Sequence, residues 1–353
     1  MRKILTPGPV AIPDFVWEAI QQPVIPHRSV VFEEIYSQLL NSLRYFFQTK
    51  GEVISMIASG SGGVESAMYS LFLPGEKVLV VDTGKFSNRW VQYAETTGLD
   101  VSELSYEWGS VPKTEDILIK LEKETPKGII LTHCETSTGA LLDLEEIAFA
   151  VKERVPNCLV VVDAITSVGA VPFYFDDWQL DCAICTSQKS LMNPAGLSVF
   201  AMSELAIRKL RATFSGDYQN LKSYLTFAQQ HNYPFTPPVN LLFGVKAALA
   251  WFQQQKLPNV WNQTHQTAQY FRSEIQQLGA KLLAKSPSDS LTAFYFEQGD
   301  HQIIKQKLAE EYQIEISGGQ GPYKGKLLRV NHMGETGIVD MQEVLSALKS
   351  ILK

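Results

Sequence analysis

Six short apolar runs, separated by polar or helix-like stretches, constrain the fold of this chain most strongly. They occupy residues 52–59, 77–82, 128–133, 158–164, 181–187 and 197–203. Strands that are apolar throughout are buried on both faces, and helices between them favour a mostly parallel sheet covered on both sides. The sequence therefore predicts an α/β fold. Only a short segment separates the last two runs, so we expect them to pair antiparallel.

The length of 353 residues predicts more than one domain. Apolar periodicity indicates helices at 32–47, 64–72, 87–98, 144–155, 245–255 and 260–279. From about residue 280 strand-like and helical pieces alternate, which is typical of a small α+β unit. We predict a large domain at 1–245, with an N-terminal arm near the active site, and a small C-terminal domain at 246–353.

The charge and apolar pattern exclude several classes of partner. The net charge is −6, which gives no electrostatic reason to expect nucleic acid or an anionic membrane as a partner. No run approaches the roughly 18 apolar residues of a membrane span. The apolar stretch near the N-terminus is too short for a signal peptide, so we expect a cytoplasmic protein.

Four cysteines are too few for a disulfide scaffold. Cys182 and Cys185 have the spacing of a redox or metal half-site. However, they lie in an apolar strand, where residues three apart point to opposite faces. We therefore interpret them as core thiols and predict no metal site.

A glycine-rich segment, "SGSGG", joins the first apolar run to a helix. Glycines let the backbone approach a ligand closely, and a helix N-terminus offers free N–H groups to an anion such as phosphate. A plain strand–helix turn is the alternative. A dinucleotide site is a second alternative, with Asp82 near the position of the ribose-binding acid. The glycine spacing argues against it, since Glu65 stands where the third glycine belongs.

Two charged residues follow later strands. Asp163 ends the run 158–164, and Lys189 comes just after the run 181–187. A buried aspartate needs a partner, and a protonated pyridine nitrogen is one, although a turn or helix cap would also explain it. A desolvated lysine has a lowered pKa and becomes a nucleophile. With the glycine segment, these residues indicate a pyridoxal phosphate (PLP) pocket.

The same residues resemble the class V aminotransferases of PLP fold-type I. The resemblance extends over nearly the whole chain, in family order, through "LTPGPV", "PHRSVVFEEIY", "SGSGG", "LTHCETSTGALLDL", "VDAITSVGAVPF", "TSQKSLMNPAGLSV", "FTPPVN" and "GGQGPYKGKLLRVNHMG". Alanine–glyoxylate and serine–pyruvate aminotransferases are the most similar members, and archaeal-type phosphoserine aminotransferases are near relatives. The resemblance implies a seven-stranded, mostly parallel sheet in the large domain.

The resemblance also implies roles for individual residues. Lys189 matches the lysine that holds the cofactor aldehyde as a Schiff base, and Asp163 matches the partner of the pyridinium nitrogen. The remaining matches to cofactor-binding positions are Ser61, Gly62, Gly63 and Gln188 at the phosphate, Phe86 against the ring, Ser137 near the ring oxygen, and Tyr233 and Thr236 at the phosphate of the neighbouring subunit. The last two imply a homodimer with shared active sites.

Arg329 matches the arginine that binds the substrate carboxylate, and a guanidinium fork suits that task. A surface arginine on a strand is the alternative from the residues alone. Arg28, beside His27, either meets a second anionic group of the substrate or anchors its loop. His133 ends an apolar run, and we interpret it as a packed histidine.

We predict a PLP-dependent aminotransferase that moves the amino group of a small amino acid, such as serine or alanine, to pyruvate or glyoxylate by a ping-pong mechanism. Phosphoserine with 2-oxoglutarate is the main alternative. A 2-aminoethylphosphonate aminotransferase, a cysteine desulfurase, a nicotinamide-dependent dehydrogenase and a PLP-binding regulator without turnover are further alternatives. No cysteine follows Lys189, which argues against the desulfurase.

Overall fold

The computed structural model describes residues 2–210 and 218–352. Its helices alternate with strands over most of this length. They are α1 (Asp14–Ile20), α2 (Val30–Phe47), α3 (Gly60–Leu71), α4 (Ser87–Thr96), α5 (Thr114–Glu124), α6 (Leu144–Arg154), α7 (Glu204–Lys209), α8 (Leu221–Ala228), α9 (Val239–Gln255), α10 (Leu257–Gln277), α11 (His301–Glu311) and α12 (Ile338–Ile351).

The strands fall into one large sheet and several smaller ones. They are β1 (Lys3–Ile4), β2 (Glu52–Ile57), β3 (Lys77–Asp82), β4 (Asp100–Ser105), β5 (Gly128–Thr132), β6 (Cys134–Glu135), β7 (Ala140–Leu141), β8 (Leu159–Asp163), β9 (Cys182–Thr186), β10 (Leu197–Met202), β11 (Lys281–Leu282), β12 (Leu291–Tyr295), β13 (Ile314–Glu315), β14 (Ser317–Gly318) and β15 (Leu328–Asn331).

The central sheet has seven strands in the order β2-β10-β9-β8-β5-β3-β4. All six predicted strands are present, and the predicted α/β class with a mostly parallel sheet is confirmed. β10 runs antiparallel to both of its neighbours, β2 and β9, as expected for the last two runs. The other pairs in the sheet are parallel. Their carboxyl ends therefore meet along one edge, where ligand sites of such sheets form.

The seventh strand, β4, was not among the predicted runs. Its sequence "DVSELS" is mostly polar, because it lies at the sheet edge and only Ser102 is buried. An edge strand carries polar side chains that prevent further pairing, so an apolar run does not reveal it.

Two helices begin four or more residues earlier than their apolar periodicity indicates. α3 starts at Gly60, inside the glycine segment, because the Ser59 side chain caps it and accepts the Gly62 N–H. α9 starts at Val239, directly after Pro237 and Pro238. Proline is well tolerated just before the first turn of a helix, where its missing N–H has no partner to lose.

Two hydrophobic clusters lie among the described residues. The larger surrounds the central sheet and includes buried residues of α9, such as Phe252. The smaller lies between the sheet β11-β12-β15-β14 and the helices α10, α11 and α12. The predicted boundary at 245/246 lies within α9, and this division stays a prediction.

The N-terminal arm connects the two clusters. β1 pairs in parallel with β13, and Leu5 is buried in the smaller cluster. Five residues later the arm reaches the segment that follows β9, where the Val10 N–H donates to the Gln188 carbonyl oxygen at 3.2 Å. The arm therefore lies beside the segment that carries Lys189.

In the parts of the chain that the structure describes, no helix is long and apolar enough to span a membrane. Cys182 and Cys185 are free thiols buried in β9. Burial raises the pKa of both thiols, to about 12 for Cys185.

A buried ion pair fixes the start of β9. Asp181 is 3% exposed and pairs with Lys152 of α6. It also accepts the Val160 N–H at 2.8 Å and the Ser203 hydroxyl at 2.7 Å. One carboxylate thus joins β8, β9 and the end of β10.

We expect Asp181→Asn to lower the free energy of unfolding by about 3 kcal/mol, because it leaves the Lys152 charge buried without its counterion. Urea unfolding followed by circular dichroism measures this. Asp177→Asn is the matched control, since Asp177 is exposed, and we expect a change within about 0.5 kcal/mol. Equal effects of the two substitutions would contradict the structural role of Asp181.

Candidate active site

A cavity of about 130 Å³ lies at the carboxyl ends of the central strands. Asp163 is the last residue of β8, and Lys189 follows β9 by three residues. Both line the cavity, although they are 26 positions apart in the chain. The full lining is Ser59, Gly60, Ser61, Val64, Phe86, Arg89, Tyr93, Cys134, Thr136, Asp163, Ile165, Thr166, Gln188 and Lys189.

Lys189 is a buried amine, with 8% of its surface exposed. Burial lowers the pKa of Lys189 to about 8, and the positive charge of Arg329 acts in the same direction. Its Nζ donates to the carbonyl oxygen of Pro7 in the N-terminal arm. A side chain at Gly8 would overlap the lysine, since a Cβ there would lie 2.4 Å from Nζ. Gly8 also has a φ of +140°, a backbone conformation that residues with a side chain rarely adopt, so glycine suits this position.

Asp163 is a buried carboxylate whose pKa burial raises to about 6. Its Oδ1 accepts the Ile165 N–H at 3.0 Å, and its Oδ2 accepts the indole N–H of Trp90 at 3.4 Å. Over residues 2–210 and 218–352, no lysine, arginine or histidine forms an ion pair with it. Its negative charge therefore has no cationic partner in the described protein.

These residues fit the cofactor that the sequence predicts. A protonated pyridine nitrogen is the cation that a buried aspartate at this place lacks. The amine of Lys189 is the nucleophile that an aldehyde requires. In addition, the side-chain oxygen of Gln188 is buried without a hydrogen-bond partner, which leaves an acceptor for a ligand.

The glycine segment forms the first turn of α3. Ser59 accepts the Gly62 N–H with its hydroxyl and the Gly63 N–H with its carbonyl oxygen. Of the predicted phosphate residues here, only Ser61 lines the cavity. Gly63 is instead required for packing, because a Cβ there would lie 2.5 Å from the hydroxyl oxygen of Ser198.

Phe86 lines the cavity from the N-terminus of α4. The backbone here is held by a buried carboxylate, Glu135, which sequence reasoning missed. Glu135 accepts the N–H groups of Phe86 at 3.0 Å and Ser87 at 2.8 Å. The acidic residue in "HCETSTG", just after the buried strand β5, was the available signal, since a carboxylate buried at such a strand end requires several donors.

Ser137 lies beside the cavity without lining it. Its hydroxyl donates to Glu135 at 2.6 Å and accepts the Lys85 N–H at 3.1 Å. The neighbouring Thr136 is on the cavity wall. The predicted contact of Ser137 with the cofactor therefore stays a prediction.

Arg329 projects from β15 of the smaller sheet toward the large one. Its Nε donates to the Gly318 carbonyl oxygen at 3.0 Å, and its Nη1 donates to the Thr136 carbonyl oxygen at 2.9 Å. The Thr136 contact brings the guanidinium next to a residue of the cavity wall. No described residue accepts a hydrogen bond from its Nη2. Burial lowers the pKa of Arg329 to about 10, so the group is charged at neutral pH.

The remaining predicted residues lie away from this cavity. Tyr233 is fully buried in its own chain, and its hydroxyl is 3.4 Å from that of Ser55. Thr236 is exposed and lines a separate pocket with His27. Arg28 donates to the Tyr233 carbonyl oxygen at 3.1 Å, which is the loop-anchoring arrangement.

Asp82 and His133, two other residues considered in the sequence analysis, have structural roles. Asp82 accepts the Gly84 N–H at 3.0 Å and the Ser87 hydroxyl at 2.8 Å, so it holds the turn before α4. His133 packs against Phe173 and Trp178, and burial lowers its pKa to about 3. A ribose-binding acid, as in a dinucleotide site, keeps its carboxylate oxygens for the sugar, whereas both oxygens of Asp82 already accept hydrogen bonds within the protein, Oδ2 from the Asn88 amide at 2.9 Å.

Comparison with known proteins gives one family. The Aminotransferase class-V profile matches residues 18–333. Serine–glyoxylate aminotransferase of Methylorubrum extorquens is 32% identical over 346 residues, which cover 94% of this chain and 86% of that protein.

Solved structures share the whole architecture. The aspartate aminotransferase of subgroup IV from Thermus thermophilus is 34% identical, with a TM-score of 0.93 over 99% of this chain and 98% of that one. An alanine–glyoxylate aminotransferase from Nostoc sp. is 31% identical, with a TM-score of 0.94 over 100% and 95% of the two chains. This chain therefore belongs to the class V aminotransferase family, and it is a pyridoxal phosphate-dependent transaminase.

Proposed function

We propose that this aminotransferase takes the amino group from a small amino acid of the serine or alanine type and passes it to glyoxylate or pyruvate. The single observation that carries this proposal is one cavity that joins the Lys189 amine to the unpaired Asp163 carboxylate, with the Arg329 guanidinium hydrogen-bonded to Thr136 of the cavity wall. Relatives named for serine–glyoxylate and alanine–glyoxylate exchange support the substrate class.

Lys189 is the residue that moves protons in this proposal. When bound, PLP supplies an aldehyde for the amino group and a pyridinium ring that withdraws electrons from the substrate α-carbon. With PLP bound, the Nζ of Lys189 would take the α-proton of the substrate and return it at the C4′ carbon. A pKa of about 8 suits this exchange, because the amine is then a usable base near neutral pH.

Asp163 holds a proton at the ring nitrogen. Its Ile165 and Trp90 hydrogen bonds fix the carboxylate at the end of β8. An ionised carboxylate in a buried site favours a positive charge beside it, which keeps the pyridine nitrogen protonated. Protonation at this atom is what makes the ring an effective electron acceptor.

Arg329 binds the substrate carboxylate. Two backbone carbonyls occupy its Nε and Nη1, which fixes the plane of the guanidinium and leaves Nη2 free for a ligand. A fixed fork orients the α-carbon and reduces the entropy lost on reaching the reactive geometry. The site thus provides one carboxylate-binding group, as a small monocarboxylic amino acid requires.

Phosphoserine as amino donor is not favoured. In that alternative, Arg28 would bind the second anionic group of the substrate. However, Arg28 does not line the cavity that contains Lys189. Its guanidinium is held by the Asn232 side chain at 3.3 Å and by the Tyr233 carbonyl oxygen.

We also propose a cytoplasmic homodimer with shared active sites. Three exposed valines support the dimer: Val24, between α1 and α2, is 70% exposed, and Val30 and Val31, in the first turn of α2, are 68% and 54% exposed. Clustered exposed apolar side chains mark interaction surfaces. Thr236, predicted to reach the neighbouring phosphate, lines a pocket with Val24. The free cysteines fit a reducing compartment.

A screen of single half-reactions tests the proposed substrates. The PLP-loaded protein is mixed with one amino acid at a time, without a 2-oxo acid, and conversion of bound PLP to pyridoxamine phosphate is followed by absorbance. We expect serine or alanine to react fastest among serine, alanine, glycine, aspartate and phosphoserine.

Lys189→Ala is the control and should give no conversion, because it lacks the base at the α-carbon. Conversion by phosphoserine or aspartate, with none by serine or alanine, would contradict the proposed substrate class. Full conversion by Lys189→Ala would contradict the assignment of the base.

The pH dependence of cofactor capture tests the environment of Lys189. Only the neutral amine attacks an aldehyde, so the rate should rise with pH and level off above about 8, the lowered pKa of Lys189. The measurement is the initial rate of PLP attachment to cofactor-free protein from pH 6 to 10, trapped with borohydride. Free Nα-acetyl-lysine is the control, and its rate should still rise near pH 10. If the rate for the protein also continued to rise near pH 10, the amine of Lys189 would be solvated, which would contradict its lowered pKa.

Sedimentation tests the dimer. We expect the wild type to sediment with the mass of two 39.5 kDa chains. Val24→Glu with Val31→Glu should give a monomer with weakened PLP binding, because charges in an apolar interface are costly. Val339→Glu is the matched control, as Val339 is 67% exposed on α12, and it should stay dimeric. A monomeric wild type would refute the proposal.

A further inference from the structure

The residues predicted at the cofactor phosphate in this cavity carry no positive charge to pair with it; they are Ser61, Gly62, Gly63 and Gln188. A phosphate ester brings a charge of about −1.5 to −2. Burying such a charge is costly unless it is paired. The first turn of α3 offers N–H groups, but its sequence "GSGG" contains no lysine or arginine. A further source of positive charge is therefore needed beside Ser61.

Arg89 lies at that place. Its Nη1 donates to the Ser61 hydroxyl at 3.4 Å, and its guanidinium carbon lies 4.9 Å from the centre of the Phe86 ring. The arginine thus stands between the first turn of α3 and the aromatic side chain predicted to contact the cofactor ring. It has no ion pair among the residues that the structure describes, so its charge is available to a ligand.

The composition of the cavity wall also favours Arg89 as the residue that binds the phosphate. Among the lining residues only Arg89 and Lys189 are cationic. Lys189 contacts Pro7 and is the residue that binds the cofactor aldehyde. Arg89 is therefore the cation that can pair with the phosphate. Arg89 and Tyr93 are four residues apart on α4, so they share one helix face, and both line the cavity.

We propose that Arg89 is a cofactor-binding residue that neutralises the phosphate group of PLP and makes the site select PLP over unphosphorylated pyridoxal. The guanidinium fork matches two phosphate oxygens, and the helix N-terminus supplies further donors. This inference rests on the proposed function, since it places PLP in this cavity. In the sequence, the signal for this role is an arginine three positions after Phe86.

A purely structural role gives a different expectation. If Arg89 only supports the Phe86 ring, its loss would weaken PLP and pyridoxal alike, because both contain the same pyridine ring. If it binds phosphate, only PLP would be weakened. The ratio of the two affinities therefore distinguishes the two roles, independently of turnover.

The test titrates cofactor-free full-length protein with PLP and, separately, with pyridoxal, and follows the visible absorption of the bound aldehyde. We expect the wild type to prefer PLP, and Arg89→Gln to raise the dissociation constant for PLP by about 10- to 100-fold, as for loss of a charged hydrogen-bond partner. Its dissociation constant for pyridoxal should change less than about threefold.

Two more variants control for charge and folding. Lys85→Gln removes a positive charge four residues earlier from a side chain that does not line the cavity, and it should keep the wild-type ratio. Arg89→Lys keeps the charge, so it should lose less PLP affinity than Arg89→Gln and serves if the glutamine variant does not fold. Inorganic phosphate should compete with PLP for the wild type more strongly than for either Arg89 variant.

The outcomes separate this inference from the proposed function. A wild type that takes up neither aldehyde would overturn both. A wild type that prefers PLP, with the same preference in Arg89→Gln and Arg89→Lys, would overturn only the role of Arg89. Equal losses for PLP and pyridoxal would also overturn it, in favour of support for the Phe86 ring.

Discussion

The opposed buried charges of Lys189 and Asp163 are the constraint on which the site depends. An amine and a carboxylate share a cavity largely removed from water, which lowers the pKa of one and raises that of the other. Neither forms an ion pair with the other, so both stay available to a ligand that has an aldehyde and a ring nitrogen. Parallel strands make this possible, because their carboxyl ends bring residues distant in sequence to one edge.

The central sheet and its polar strand ends could be predicted from the sequence. Strands such as β8 and β9 are buried on both faces, which leaves continuous apolar runs, and Asp163 and Lys189 are conspicuous because they end or follow those runs. The family resemblance added Arg329, which no local pattern separates from a surface arginine. Its role depends on contact between β15 and Thr136, which are far apart in the chain.

Other parts of the site depend on tertiary contacts that leave little local signal. Glu135 holds the backbone at Phe86 across 49 positions of sequence, and Pro7 reaches Lys189 across 182. The edge strand β4 is polar because solvent, rather than the core, covers it. The start of α3 within a glycine segment reflects capping by Ser59, which outweighs the poor helix propensity of glycine.

The most direct test of the account is a crystal structure of the PLP-loaded protein. We predict continuous density from the Nζ of Lys189 to the cofactor and a ring nitrogen within about 3 Å of an Asp163 carboxylate oxygen. A cofactor attached to another lysine, or a ring nitrogen directed away from Asp163, would contradict the claim that these two buried groups define the site.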